Sequence, residues 1–192
     1  MNLPNKLTIL RVIMVPFFLA AMMIPDSLVA EPVTRVVAAV IFALTALTDF
    51  IDGKIARKYN LITNFGKFMD PLADKFMVFG ALIAMLVAYK DIAPVFVWVS
   101  MIVMLRELAI TSLRLVIAGN SGKVLAASWW GKVKTATQSV SIFLIVLEPA
   151  IYTPAFCPHL ISYIAMAAIT ITTIGSGIDY CKAYFPLINT NE

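Results

Sequence analysis

Six long apolar stretches, separated by short polar connections, dominate this sequence. Each is close to the roughly 20 residues that a helix needs to cross the hydrocarbon core of a bilayer. Composition agrees, because 61% of the residues are hydrophobic and 14% are charged, whereas soluble domains are about half apolar and about a quarter charged. The pattern predicts an all-α integral membrane protein with six transmembrane helices in a single domain, residues 1–192. The predicted stretches are Leu7–Ile24, Val33–Arg57, Met69–Ala88, Ile92–Ala118, Val133–Ile151 and His159–Ala183.

The first stretch also has the layout of a signal peptide, because Lys6 and Arg11 precede a short apolar run. Ala30 is the one position that suggests cleavage. Leu28 is a poor partner for it in an A-x-A cleavage site, so we expect the first helix to be retained.

Positive charge is divided unevenly between the two sides of such a bundle. If the N-terminus marks one side, that side receives thirteen of the fifteen Lys and Arg residues, and the other keeps only Arg35 and Lys90. Lys and Arg accumulate in cytoplasmic loops. The asymmetry therefore predicts that both termini are cytoplasmic.

Four aspartates lie close together where the second and third stretches meet. They are Asp49, Asp52, Asp70 and Asp74, from only eleven acidic residues in the whole chain. Carboxylates near hydrocarbon are costly and are kept there mainly for function, and grouped carboxylates repel one another unless a cation lies between them. Helical spacing places Asp49 with Asp52, and Asp70 with Asp74, on shared helix faces. We therefore expect two helix ends to present two carboxylates each to one point.

The start of the third helix follows from the Asp70-Pro71 pair. Proline is favoured at the first position of a helix. The sequence therefore predicts that this helix opens at Pro71, after a turn from Lys58 to Met69.

Oxygen ligands without histidine or cysteine suit Mg²⁺ or Mn²⁺ rather than zinc. Gly53 and Ala56 lack bulk on the same helix face, which leaves room for an extended ligand, and Arg57 could hold a phosphate through two hydrogen bonds. Two other interpretations stay open. Any single aspartate here could be only a helix-end residue such as an N-cap. A divalent-cation transporter would also need membrane carboxylates, although transport favours acids distributed through the membrane depth and Arg57 would repel a permeating cation.

These residues reproduce a known motif. The run Asp49-Phe-Ile-Asp52-Gly53-Lys-Ile-Ala56-Arg57, followed at fixed spacing by Gly66, Asp70 and Asp74, gives D-x-x-D-G-x-x-A-R-x8-G-x3-D-x3-D. The chain therefore resembles the CDP-alcohol phosphotransferases at all eight defined positions. Within that family, segments 2–11, 105–107 and 131–135 are most similar to the bacterial phosphatidylglycerophosphate synthases.

The resemblance implies six transmembrane helices, a polar cavity facing the cytoplasm, a bound Mg²⁺ or Mn²⁺, and a homodimer in the plasma membrane of a bacterium. It also implies transfer of the phosphatidyl group from CDP-diacylglycerol to sn-glycerol 3-phosphate, which gives phosphatidylglycerophosphate and CMP. Membrane lipids are expected partners and nucleic acid is not. Serine, inositol phosphate or another phosphatidyl group stays open as the acceptor.

The family's residue roles transfer position by position. Asp49, Asp52, Asp70 and Asp74 would bind metal, with Asp70 and Asp74 in the catalytic centre. Asp74 is also the candidate general base, a role that competes with metal ligation because a bound metal lowers carboxylate basicity. The CDP group would be bound by Gly53, Ala56, Arg57, Asn5, Thr8, Arg11 and Gly66.

The acceptor phosphate is a dianion, so its site should be basic. Arg106 and Arg114 are eight residues apart and share roughly one helix face. With Lys132, Lys134 and Lys67 they are the predicted acceptor-phosphate site. The alternatives are contacts to anionic lipid headgroups and an Arg106–Glu107 pair that holds two helices together.

Overall fold

The computed structural model describes residues 2–59, 63–121, 128–151 and 157–188. Within these ranges, the structure describes only the backbone of residues 50, 52, 56–58, 64, 67, 118–121 and 184–188.

Six α-helices account for nearly all of the described residues, and no strand occurs among them. Each predicted apolar stretch coincides with one helix, so the all-α prediction is confirmed. The helices are α1 Leu3–Met23, α2 Glu31–Lys58, α3 Asn64–Ala88, α4 Ala93–Ser121, α5 Trp129–Leu147 and α6 Leu160–Ile188, with one 3₁₀ turn, Glu148–Ala150, after α5.

Five of these helices (α1, α2, α3, α4 and α6) are long and apolar enough to cross a membrane. In the described part of the chain, α5 is the helix whose composition departs from that pattern. Its first half carries Lys132, Lys134 and Gln138, and all three line the cavities described below. The polarity of α5 thus reflects the surface that it presents to the site.

Helix α3 begins seven residues before Pro71, so the predicted helix start and the predicted turn to Met69 are wrong. The side chain of Thr63 caps the helix by accepting a hydrogen bond from the Gly66 amide at 3.0 Å. Pro71 lies inside the helix, where it lacks the N–H that would bond the carbonyl four residues earlier. A threonine cap provides a better start, and Asp70 is left within the helix, with its side chain free to face the site.

Helix α1 packs closely against the two helices that carry the aspartate motif, α2 and α3. Helix α5 packs against α2 and α6, and α4 packs against α6. A Cβ added to Gly80 would lie 3.0 Å from Val15, and Ala38, Ala73 and Ala81 are at most 1% exposed. Small residues allow the backbones of membrane helices to approach closely.

The outward faces of the bundle are apolar as well. Phe17, Trp98, Leu115 and Ile171 are each at least 60% exposed. An aqueous surface would leave this area unfavourably hydrated. A lipid environment accounts for it.

Buried polar groups fix the end of the bundle that lies away from the aspartates. Arg35 donates to the Met22 carbonyl at 2.9 Å, pairs with Glu31 at 3.1 Å and lies 5.0 Å from the centre of the Tyr89 ring. The Tyr89 phenol donates to the Val146 carbonyl at 3.1 Å, and burial raises the pKa of this phenol above its usual range. These contacts join α1, α2, α3 and α5.

Glu148, for which the sequence suggests no role, caps α6. This carboxylate is 1% exposed and accepts hydrogen bonds from the amides of Ile161, at 2.8 Å, and Ser162, at 2.9 Å, and from the Ser162 hydroxyl. A negative charge at a helix N-terminus satisfies free amides and interacts favourably with the helix dipole.

Candidate active site

Arg11 lies between two motif aspartates. Its guanidinium contacts Asp49 of α2 at 2.9 Å and Asp74 of α3 at 2.5 Å. The Arg11 side chain is fully buried, whereas the side chains of Asp49 and Asp74 are 47% and 51% exposed. The carboxylates therefore keep one side open to solvent while the arginine fixes them from within.

Two other α1 residues also support the motif. Thr8 donates to Asp70 at 2.7 Å, and Asn5 accepts a hydrogen bond from Thr63, the cap of α3, at 3.0 Å. A Cβ on Gly66 would lie only 3.2 Å from the Asn5 amide oxygen. The motif glycine is thus required for the close approach of α1 to the start of α3.

One cavity, of about 820 Å³, is lined both by aspartates of the predicted metal site and by cations of the predicted acceptor-phosphate site. Asp49, Asp70 and Asp74 line it from α2 and α3. Predicted acceptor-site cations from α4 and α5 line the same cavity: Arg106, Arg114 and Lys132. Its volume lies in the usual range of about 300–1,000 Å³ for small-molecule sites.

Helix α6 holds the two arginines. Arg106 donates to the Ser176 hydroxyl at 2.5 Å, and Arg114 donates to the Tyr180 hydroxyl. Both guanidiniums also lie over the Tyr180 ring, 5.3 and 5.0 Å from its centre, within the range of cation–π attraction. The Tyr180 hydroxyl also accepts a hydrogen bond from the Ser128 amide at 3.3 Å.

Glu107 connects the basic residues of α4 and α5. It accepts a hydrogen bond from Lys134 and lies 3.6 Å from Arg106. Lys134 is buried, with 2% exposure. Arg106 and Glu107, the alternative structural pair, are in contact within α4. The links between helices run from Glu107 to α5 and from Arg106 to α6.

Four of the predicted site residues have side chains that the structure does not describe. This holds for Asp52, Ala56, Arg57 and Lys67, whose backbones are helical. The backbone of Gly53 lies in α2, one turn after Asp49. Among the predicted residues with described side chains, the structure brings Asn5, Thr8, Arg11 and Gly66 against the aspartates or the cap of α3.

Sequence reasoning missed Ser176, Tyr180 and Gln138. All three lie in predicted transmembrane stretches, and their local sequence does not indicate which distant residues they contact. Burial is the signal that identifies them, because each is at most 3% exposed.

The described aspartates fit a hard divalent cation in their ligand chemistry, since carboxylate oxygens suit Mg²⁺ and Mn²⁺. Asp49 and Asp74 each retain half-exposed side chains beside Arg11. Among the residues that the structure describes, no three acidic, histidine or cysteine side chains are grouped closely enough to hold a metal ion.

Comparisons with known proteins agree with this geometry. The chain is 37% identical to the CDP-diacylglycerol–glycerol-3-phosphate 3-phosphatidyltransferase of Bacillus subtilis, over all of this chain and 99% of that protein. It is 40% identical to a probable phosphatidylglycerophosphate synthase of Mycobacterium tuberculosis, over 93% of this chain and 79% of that protein. A Rickettsia bellii protein with the same name as the Bacillus protein is 37% identical over 96% of this chain and 97% of its own length. The profile of the CDP-alcohol phosphatidyltransferase family matches residues 1–175, and the chain belongs to this family.

Proposed function

We propose that this protein transfers the phosphatidyl group of CDP-diacylglycerol to sn-glycerol 3-phosphate, releasing CMP and forming phosphatidylglycerophosphate. The observation that carries the proposal is the shared cavity, in which motif aspartates face three cations from other helices. The relatives named above support the same reaction.

The donor would bind at the motif end of α2. Gly53, Ala56 and Arg57 would accommodate the CDP group, with Arg57 on its phosphates. Asn5, Thr8, Arg11 and Gly66 would act mainly by holding the aspartates and the start of α3, because their described contacts are to those groups.

The acceptor phosphate would bind Arg106, Arg114 and Lys132, with Lys134 and Lys67 adding positive charge. Charge-assisted hydrogen bonds from guanidinium groups are well suited to a phosphate dianion. The free hydroxyls of the acceptor would then lie near the aspartates, which line the same cavity from α2 and α3.

In the chemical step, the acceptor's C1 oxygen attacks the β-phosphorus of the donor. A new O–P bond forms while the bond between this phosphorus and the CMP oxygen breaks. We assign Asp74 as the residue that takes the hydroxyl proton, since it faces the cavity. Arg11, 2.5 Å away, would hold its carboxylate in position.

We further propose that Mg²⁺ or Mn²⁺ is held by Asp49, Asp52, Asp70 and, when it is not acting as base, Asp74. When bound, the cation neutralises the pyrophosphate and the charge that develops on it. Added EDTA should abolish CMP release, and Mg²⁺ or Mn²⁺ should restore it.

We propose that all six helices cross the membrane in one domain, α5 in addition to the five helices that meet the length and composition of a span. Both termini and the cavity would face the cytoplasm of a bacterial plasma membrane, and the protein would form a homodimer. In a variant whose native Cys157 and Cys181 are replaced by serine, single cysteines introduced at Asn2 and at Asp26 should be labelled by a membrane-impermeant maleimide from opposite sides of oriented vesicles. Labelling of both from one side would contradict this topology.

The test of function uses purified protein, CDP-diacylglycerol and Mg²⁺, with sn-glycerol 3-phosphate, serine or inositol phosphate as the acceptor. CMP release only with glycerol 3-phosphate is expected. CMP release only with serine or inositol phosphate would show that glycerol 3-phosphate is not the acceptor. The absence of CMP release with every acceptor would contradict transferase activity. Asp70→Asn should remain folded and release little CMP.

A further inference from the structure

Gln138 is a buried polar residue of α5. It is 3% exposed, and its amide oxygen accepts no hydrogen bond from any residue in the described part of the chain. A buried acceptor without a partner is uncommon and is frequently satisfied by a ligand or an ordered water. The oxygen therefore calls for a hydrogen-bond donor from outside the protein.

The surroundings of Gln138 belong to the site. It lines a small cavity of about 150 Å³ together with Asp49, Asp74, Glu107 and Lys134. This cavity adjoins the larger one, because both are lined by Asp49, Asp74, Lys75, Glu107, Thr135 and Ser139. Gln138 thus lines the same small cavity as the motif aspartates Asp49 and Asp74.

Substrate chemistry limits which group can reach this oxygen. The glycerol of a diacylglycerol donor is fully substituted and offers only hydrogen-bond acceptors. The hydroxyls and the amino group of its cytidine belong to the CDP end, which the proposed function places at Gly53, Ala56 and Arg57. The acceptor alcohol has two hydroxyls, of which the C1 hydroxyl is the nucleophile and gives its proton to the base. The C2 hydroxyl is left as the donor that matches a free amide oxygen.

We propose that Gln138 is a specificity-determining residue that accepts a hydrogen bond from the C2 hydroxyl of the acceptor. This inference depends on the proposed function, because it takes glycerol 3-phosphate as the acceptor. With the phosphate held by Arg106 and Arg114, the three-carbon chain extends toward α5 and the aspartates. An acceptor without the C2 hydroxyl leaves the amide oxygen buried and unpaired, which should lower kcat/KM by about 10- to 100-fold.

The test compares sn-glycerol 3-phosphate with 3-hydroxypropyl phosphate, which keeps the nucleophilic hydroxyl and the phosphate but lacks the C2 hydroxyl. Wild-type protein should prefer glycerol 3-phosphate by about 10- to 100-fold in kcat/KM. Gln138→Met, similar in size but apolar, should lose that preference by reacting more slowly with glycerol 3-phosphate alone. Its kcat/KM for 3-hydroxypropyl phosphate should not fall below that of wild type, since no hydrogen bond is lost there and no buried amide oxygen is left unpaired.

Ser141→Ala is the matched control. Ser141 is buried on the same helix, 4% exposed, and lines neither of the two cavities as described. This variant should keep the wild-type preference between the two acceptors.

Equal use of both acceptors by the wild type would overturn the inference, and this measurement needs no variant to fold. An equal loss for both acceptors in Gln138→Met would also overturn it, because that result indicates a structural role. Failure of glycerol 3-phosphate to react at all would instead contradict the proposed function.

Discussion

The guanidinium of Arg11 lies 2.5 Å from the carboxylate of Asp74. This contact joins the first helix to the third inside the motif, and the same guanidinium also reaches Asp49 at 2.9 Å. A fully buried arginine near the membrane is costly unless it is paired. The first helix is thus part of the site as well as a membrane anchor.

Arg11→Met removes this charge at similar side-chain length. We expect the free energy of unfolding to fall by about 1.5–3 kcal/mol, the usual contribution of hydrogen bonds to charged groups. The loss should be near the lower end because both aspartates are half exposed and can be hydrated. CMP release should also fall, since Asp49 and Asp74 lose their orientation. Thermal unfolding in detergent and CMP release measure the two effects.

Lys6→Met is the matched control, because Lys6 is an exposed cation on the same helix. It should have little effect on either measurement. If Arg11→Met behaved like Lys6→Met, the role given to Arg11 would be wrong.

Gly66→Ala should disturb the contact between α1 and α3. The added Cβ would lie 3.2 Å from the Asn5 amide oxygen and 3.3 Å from the Thr63 hydroxyl, so the cap of α3 must shift. Because Asp70 lies one turn further along α3, we expect kcat to fall at least tenfold. Initial rates of CMP release at saturating substrates measure this change.

Gly177→Ala tests whether replacing any helical glycine with alanine lowers kcat as expected for Gly66→Ala. At Gly177 the nearest atom to an added Cβ is Arg106 Cγ at 3.8 Å, an ordinary contact. Alanine in a helix interior is favoured over glycine by roughly 0.5–1 kcal/mol, so this variant should be as active as wild type and slightly more stable. Equal activity of the two variants would contradict the proposed close approach at Gly66.

Tyr180→Phe should weaken acceptor binding through the arginines. The ring and its cation–π contacts remain, but Arg114 loses the hydroxyl to which it donates. We expect KM for glycerol 3-phosphate to rise about tenfold, which corresponds to loss of one hydrogen bond to a charged group. KM for CDP-diacylglycerol should change little. Tyr163→Phe, at an exposed tyrosine of the same helix, should change neither value, and equal increases in both KM values would refute the assignment.

Glu148→Gln should affect stability without affecting substrate binding. An amide has one acceptor oxygen and would turn its NH₂ group toward backbone donors that Glu148 now satisfies. The expected loss is about 1–3 kcal/mol in the free energy of unfolding, measured by thermal unfolding, with both KM values unchanged. Asp26→Asn, at an exposed acid on a connection, should leave stability unchanged. A raised KM in Glu148→Gln with normal stability would show that the cap has another function.

The motif could be predicted from the sequence because its spacing is regular and its chemistry is unusual for a membrane. Asp49 with Asp52, and Asp70 with Asp74, stand at helical intervals in largely apolar stretches, and this pattern has few structural explanations. The positions of the helices could be predicted for a different reason: the length of an apolar stretch reflects the thickness of the bilayer that it crosses.

Contacts between distant helices could not be predicted in this way. Nothing in the local sequence of Tyr180 indicates that two arginines from α4 lie over its ring, because that contact depends on how α4 packs against α6. The start of α3 was mispredicted because the Asp70-Pro71 pair is typical of helix starts, whereas the threonine cap at Thr63 is the stronger local signal once its bond to Gly66 is known.

The most direct measurement of the central claim is the transfer of label from radioactive sn-glycerol 3-phosphate into chloroform-extractable lipid by the purified protein. With CDP-diacylglycerol and Mg²⁺, we predict one labelled lipid molecule for each CMP released, and loss of both products in Asp70→Asn. CMP release without label in the lipid phase, or equal labelling by wild type and Asp70→Asn, would contradict the account.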